Sequence, residues 1–375
     1  MRRIFRHYGQ FRGLSEQEVN ARLREQADEI KRQALARVEV LDLSRTTWPE
    51  VPHADIVGAI TFAARRGLHR YADRAAADLR AELAARHDLP AGRVAVGNGA
   101  TQLLEAAIGA LLEPGDELIT PWPSYPLYPV AARRARGVAV PVRADGPAAI
   151  LEALTPATRV VCLCNPNDPT GTLLGVPALR ELLDALPERV VVLVDEALRD
   201  FAAAEDPEAT RPLLDDHPRL LLFRTFSKAW GLAGLRCGYV LGGAGAEELL
   251  ERLGPELGID DLAQAGCLEA LRHHAGLPAR RRARLAPVRE RLAAGLAARG
   301  LHVTGTDANV LWVPAPDGAG AALAAALERQ SILVAAGDAL GEPGRVRITV
   351  PVVAADADRL LRALDLAAGD GAADL

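Results

Sequence analysis

From about residue 54 onward, helical stretches of the chain alternate with short β-branched runs. VAV (94–96) precedes the helix-like TQLLEAAIGALL (101–112). DELIT (116–120), GVAVPV (137–142), RVVCLC (159–164), RVVVLVDE (189–196), LLLFRTF (220–226) and GYVLG (238–242) are the further strand candidates. Short apolar runs spaced by helices predict a mostly parallel sheet covered on both faces. GGAGAEELL (242–250) then opens a helical region. Past about residue 256 the pattern becomes helix, two or three short strands (LHVTG, NVLWV, RVRITV) and a last helix, which predicts a smaller α/β unit. Ahead of all this, residues 15–38 are charged and helix-prone, and LDLSRTTWPEVPH (41–53) is an extended connector. The expected division is an N-terminal segment 1–50 packing with the small domain, a large domain 51–255 and a small domain 256–375.

Composition narrows the function classes. At 375 residues, with 49% hydrophobic and 25% charged positions, the chain has the material for two domains around a large core. A net charge of −5 gives no reason to expect nucleic acid as a partner. No membrane span is expected, because no apolar run reaches the roughly 18 residues one requires. The basic start MRRIFRHYGQFRGL lacks the apolar run of a signal peptide. Cys162, Cys164, Cys237 and Cys267 form no CxxC pair and suit reduced thiols in a cytoplasmic protein. No metal site is expected. The basic cluster ARRRARL (279–285) is taken as a solvated helix face.

Only two of the 44 basic residues are lysines, Lys31 and Lys228. Lys31 sits among charged helix formers, whereas Lys228 lies in the apolar TFSKAWGLAGLRCGY (225–239), after Ser227 and eight residues before Arg236. A desolvated lysine near other cations has a depressed pKa and attacks carbonyls. Four other stretches carry chemistry of their own. GNGATQ (97–102) is either a capped turn or a phosphate cradle at a helix start. NPNDPTG (165–171) is a stiff turn able to present the Asn167 amide at a strand's carboxyl end. VVVLVDEAL (190–198) ends a strand in two acids, either exposed or buried against a cation. RVRITV (345–350) puts Arg345 and Arg347 on one strand face, where an inward arginine clamps a carboxylate and an outward one is merely solvated.

Taken in order, with PWPSYPLY and ANVLW, these stretches make the chain similar over nearly its whole length to the class I/II aminotransferases of pyridoxal-phosphate fold type I. Within them it most resembles the histidinol-phosphate aminotransferases. The resemblance implies an α/β fold with a mostly parallel seven-stranded sheet flanked by helices, plus a smaller α/β domain. It implies pyridoxal 5′-phosphate as cofactor, bound in the large domain, and ping-pong transfer between an amino acid and a 2-oxo acid. Lys228 would form the Schiff base with the cofactor and move the Cα proton. Asp195 would pair with the ring nitrogen, Asn167 with the ring hydroxyl, and Tyr125 would stack on the ring. Gly99, Ala100, Thr101, Ser227 and Arg236 would hold the phosphate. Arg347, rather than Arg345, would grip the substrate carboxylate, with Asn167 and Trp48 beside the substrate. Tyr71 would reach the neighbouring subunit's site, which implies a homodimer.

The chain departs from that pattern in four places. Leu198 stands where relatives carry a tyrosine, so Leu198→Tyr is expected to lower the pH midpoint of the lysine-bound cofactor's visible absorption. SRTTWPEVP replaces an acidic-amide block, and Ala335 and Ala336 stand where an arginine would meet a substrate phosphate. These changes make histidinol phosphate an unexpected substrate. In LGIDDLAQ, Asp260 and Asp261 either favour a cationic substrate or cap the next helix. Another pyridoxal-phosphate reaction on the same scaffold (decarboxylation, β-elimination, cyclisation) is the alternative. A cofactor-binding sensor domain of a transcription regulator is not expected, because such proteins carry an added DNA-binding module and the roughly 50 residues ahead of the core show no basic recognition-helix pattern.

Overall fold

The computed structural model describes residues 15–35, 39–143 and 146–371. The start MRRIFRHYGQFRGL therefore lies outside the described residues, as does the side chain of Lys31, whose backbone belongs to the helix Glu16–Leu35. Twelve strands follow in chain order. They are β1 (Leu41–Asp42), β2 (Val94–Gly97), β3 (Glu117–Pro121), β4 (Val138–Val142), β5 (Thr158–Cys164), β6 (Val191–Asp195), β7 (Leu220–Thr225), β8 (Gly238–Gly242), β9 (Val310–Pro314), β10 (Ile332–Leu333), β11 (Ala335–Ala336) and β12 (Arg345–Thr349).

All seven expected large-domain strands join one sheet in the order β2-β8-β7-β6-β5-β3-β4. Pairs within β4-β3-β5-β6-β7 are parallel, and β8 runs antiparallel to both β7 and β2. Side-chain alternation splits the sheet residues between two buried layers. Val161, Leu163, Val192, Val194, Leu220 and Leu222 pack on one face with the helices Ala77–Arg86 and Val176–Ala185. Val160, Cys162, Leu193, Leu221, Phe223 and Val240 pack on the other with Gly99–Leu111 and Leu127–Arg134. Two-sided burial is why these strands read as unbroken apolar runs.

A second unit has its own core, built from β9, β10 and β12, with β11 at the edge of the β11-β12-β9 sheet, and from the helices Leu277–Ala297, Gly320–Glu328 and Ala354–Gly371. The connector joins it: β1 pairs in parallel with β10, and Leu43 and Trp48 are buried in this core. The helix Asp261–His273 buries Ala263, Cys267, Ala270 and Leu271 in the large core instead, so on packing we propose that the small unit begins near Leu277. LHVTG (301–305) forms no strand. It runs beside the NPNDPTG turn, where Asp307 donates its N–H to the Gly171 carbonyl at 3.0 Å and a Cβ on Gly305 would lie 2.4 Å from the Gly171 carbonyl carbon. The ARRRARL helix is also less solvated than expected. Arg281 is buried, donates to the Ala229 carbonyl at 2.8 Å and stacks 4.6 Å from the Trp48 ring centroid.

Candidate active site

Sheet register brings the candidate residues together. Gly97 on β2 and Thr225 on β7 both pair with Gly238 on β8, so the segments running on from these strand ends lie side by side at one edge of the sheet. Those segments carry Gly99–Thr101, Ser227 with Lys228, and Arg236. Cys164 pairs with Asp195 on the next two strands, which places the NPNDPTG turn and the VDE end on the same edge. Ligand sites in open α/β sheets form at such carboxyl ends. Here a cavity of about 370 Å³ is lined by Thr101, Tyr125, Asp195, Ser227, Lys228, Arg236 and Arg347 among others.

At one end of the cavity lies an anion cradle. Gly99 has φ +80°, and a Cβ there would meet Arg236 Nη2 at 2.7 Å. Glycine is needed both for that backbone conformation and for the space. The helix Gly99–Leu111 starts there with no side-chain cap, so its first N–H groups have no intrahelical acceptor and point at the cavity. Arg236 donates to the Ser227 hydroxyl at 3.4 Å and to the Ala233 carbonyl at 3.0 Å, which fixes the guanidinium beside the helix start.

In the middle, Asp195 is almost wholly buried at the end of β6. It accepts hydrogen bonds from the Tyr128 hydroxyl at 2.9 Å and from the Ala197 N–H at 3.0 Å. Burial pushes its pKa up to about 6, against the pull of those donors and of Lys228. The adjacent Glu196 goes the other way, as strand alternation requires. It pairs with Arg224 Nε at 2.8 Å, both side chains buried, and Arg224 Nη1 bonds the partly exposed Glu208 at 2.7 and 2.8 Å. Lys228 donates to the Thr46 hydroxyl, and burial holds its pKa below the usual lysine value, with Arg347 and Arg236 adding to the effect. A lysine depressed in this way carries more of the nucleophilic neutral amine.

Two expected residues are elsewhere. Asn167 is turned out of the Lys228 cavity: its Nδ2 donates to the Pro123 carbonyl at 3.0 Å and the Thr170 hydroxyl at 2.9 Å, and its Oδ1 accepts from Ser124 Oγ at 2.7 Å. It lines a neighbouring cavity of about 440 Å³ instead. The next residue, Asp168, lines the Lys228 cavity and pairs with Arg347 at 2.7 Å. Successive residues of an extended turn face opposite ways, so reading the motif one position early selects the brace rather than the site group. Trp48 does not touch the cavity; it is buried in the small-unit core under Arg281, with Nε1 donating to Glu50 at 3.1 Å.

Sequence reasoning missed Asp168, Tyr128 and Thr46. Asp168 had a local signal, being an acid inside an apolar-flanked Pro-rich turn. Tyr128 closes the quoted PWPSYPLY stretch without a role of its own there, and Thr46 is 182 residues from Lys228, so only the fold identifies what they contact. Arg345 and Arg347 separate cleanly. Arg345 bonds Glu342 at 3.1 Å and the Trp312 carbonyl at 3.2 Å, while Arg347 faces the cavity. Asp260 caps the helix Asp261–His273, accepting from the Ala263 N–H at 2.8 Å. Tyr71 lies outside the cavity with its side chain exposed, beside a shallow pocket shared with Leu68 and Leu257. One potential metal-ligating group among the described residues, His53 with Asp55 and His274, lines neither cavity.

The residues present fit pyridoxal phosphate. A cradle that a Cβ would fill, an arginine fixed beside it, and a buried acid whose hydrogen-bond donors are neutral are the complements of a phosphate and a protonated ring nitrogen.

Residues 35–364 match the family model for aminotransferase class I and II. The chain is 35% identical over 330 residues to an aromatic amino acid aminotransferase of Corynebacterium efficiens, covering 86% of this chain and 91% of that one. It is 37% identical over 295 residues to histidinol-phosphate aminotransferase 2 of Ralstonia nicotianae, covering 77% and 78%. The crystal structure of histidinol-phosphate aminotransferase from Sinorhizobium meliloti in complex with pyridoxal 5′-phosphate superimposes with a TM-score of 0.77 at 25% identity, covering 91% of this chain and 93% of that one.

Proposed function

The chain belongs to the class I and II aminotransferases, and on that premise we propose which of its residues hold the cofactor and what it transfers. It is an aminotransferase acting between an amino acid and a 2-oxo acid. Pyridoxal phosphate sits in the Lys228 cavity, with Gly99, Ala100, Thr101, Ser227 and Arg236 at its phosphate, Asp195 at its ring nitrogen and Tyr125 against its ring. When bound, it supplies an aldehyde for the amine and a ring that accepts the electron pair of the broken Cα–H bond.

The protein's own part is positioning and proton transfer. Tyr128 and the Ala197 N–H orient the Asp195 carboxylate, and its charge keeps the ring nitrogen protonated. Lys228, the amine with a depressed pKa, is placed as the base for the Cα proton. Thr46 holds its Nζ. Arg347 is the cation available for an α-carboxylate. The observation that carries this reading is the meeting of Lys228, Asp195, the Gly99 cradle and Arg347 in one cavity.

The proposed amino donor is an aromatic amino acid, the substrate named for the Corynebacterium efficiens relative. Leu198, Ala197, Thr46 and Thr47 give the cavity neutral walls suited to such a side chain. Histidinol phosphate would need a cation for its phosphate, and Ala335 and Ala336 offer none. The proposed assembly is a homodimer, since Val51, Phe62, Leu68, Tyr71 and Leu257 all leave apolar surface exposed on the single chain.

Visible spectroscopy of the cofactor-loaded protein tests the reading. Phenylalanine, tyrosine or tryptophan should convert the lysine-bound absorption to that of the aminated cofactor, and a 2-oxo acid should restore it. Histidinol phosphate should leave it unchanged, and Lys228→Ala should show no lysine-bound band. Conversion by histidinol phosphate alone would overturn the aromatic assignment.

A further inference from the structure

The carboxylate seat on Arg347 is already taken by a residue of the chain. Arg347 Nη1 donates to Asp168 Oδ1 at 2.7 Å, Nη2 donates to the Ser44 carbonyl at 2.7 Å, and Nε is buried with no partner among the described residues. The side chains of the pair are only 12% and 11% exposed. Asp168 is fixed from behind as well, its N–H donating to Cys164 Sγ at 3.4 Å.

Charge matching inside the cavity shows why this matters, and it rests on the cofactor reading above. The cations lining the cavity are Lys228 and Arg347, both half-buried, and Arg236 and Arg45, both exposed, with Arg45 paired to Asp42 at 3.6 Å; the buried acids are Asp195 and Asp168. Arg236 is assigned to the phosphate, Asp195 to the ring nitrogen and Lys228 to the cofactor aldehyde. Arg347 remains, and Asp168 neutralises it. Asp195, Tyr125, Cys164 and Lys228 are titratable groups that feel the Asp168 charge. Among them only Lys228 is a cation, and the cofactor takes it. A carboxylate arriving at Arg347 therefore makes two anions share one guanidinium in a partly desolvated place, which is unfavourable unless a further positive charge comes with it.

We propose that Asp168 is a specificity-determining residue: it holds the seat on Arg347 against bare carboxylates and yields it to an α-carboxylate that brings its own ammonium group. An amino acid satisfies that condition, with its amine compensating the displaced Asp168. A 2-oxo acid satisfies it at the aminated cofactor, where Lys228 is released and supplies the positive charge. A monocarboxylate meeting the lysine-bound cofactor does not.

The test is calorimetric binding of 3-phenylpropionate and of its neutral analogue 3-phenylpropionamide to the holoenzyme with its lysine-bound cofactor, with which neither compound reacts because neither carries an amine. Wild type should bind the two within about threefold of each other. Asp168→Asn should bind 3-phenylpropionate about tenfold or more tightly than wild type, the scale of one relieved charge contact, with the amide little changed. Asp168→Ala serves as the second charge-removing variant, with near-ultraviolet circular dichroism to show that both fold. Unchanged or weaker 3-phenylpropionate binding in both variants, or no binding by any of the three proteins, overturns the proposal. The transferase reading fails separately, if the holoenzyme takes no amino group from any amino acid.

Discussion

At the scale of single residues, burial moves the groups of the site away from their ordinary pKa values. Asp195 takes its two hydrogen bonds from neutral donors and is pushed up to about pKa 6 by burial. A carboxyl raised on folding binds more protons folded than unfolded between the two pKa values. Ionising it therefore removes stability as pH climbs from about 4 to about 6. Asp195→Asn is expected to stabilise the cofactor-free protein by up to about 3 kcal/mol above pH 6 and not at all below pH 4. Thermal unfolding across that range, without cofactor, reads this directly. The same variant should bind the cofactor poorly, so the acid is retained at a cost to the fold. Lys228 shows the same effect in the opposite sense, its pKa lowered chiefly by desolvation.

Elements decide which of these groups meet. The helix Gly99–Leu111 begins where β2 ends because Gly99 alone supplies a positive φ and room for Arg236. Gly99→Ala adds backbone strain of about 1–2 kcal/mol and a methyl 2.7 Å from Arg236 Nη2. It should weaken cofactor binding by about tenfold or more while moving the unfolding midpoint only slightly; fluorescence titration with pyridoxal phosphate measures it. The turn after β5 shows how one element hides its functional residue. Asn165 clamps Leu174 through bonds of 2.8 and 2.9 Å, and Asn167 braces Pro123 and Thr170. Both amides are spent on holding the turn, and the acid between Asn167 and Pro169 reaches the cavity.

For the whole molecule, the cavity belongs to two units. The large sheet supplies Asp195, Lys228 and the cradle, β12 of the small unit supplies Arg347, and the connector between them supplies Thr46. That connector is pinned to the small unit by Asn309 Nδ2 on the Thr46 carbonyl at 3.0 Å and by Thr349 Oγ1 on the Arg45 carbonyl at 2.9 Å. A movement of the small unit would carry Thr46 and Arg347 together. Beyond the single chain, the exposed Phe62, Leu68, Tyr71 and Leu257 lead to an expected dimer in light scattering. Replacing Leu68 and Leu257 with aspartate should yield monomers. If Tyr71 completes a neighbour's phosphate site, those monomers should also bind the cofactor more weakly.

The sequence by itself determined the seven large-sheet strands, offered the cradle, the lysine and the strand-end acid as candidates, and through its family resemblance implied the transferase chemistry. Each is local: a fully buried strand must be apolar throughout, a positive-φ helix start must be glycine, and a Schiff-base amine must be lysine. What only the tertiary structure decided is which way side chains face and what lies opposite them. Asn167 against Asp168 was a question of which adjacent side chain the turn aims inward, and Trp48 of which core the connector joins. Thr46 and Tyr128 became site residues only because strand pairing closes gaps of 182 and 67 residues. The Asp168–Arg347 pair spans 179 residues and decides what the cavity will accept. Contacts at that separation depend on the whole packing and leave no periodic or compositional trace near either partner.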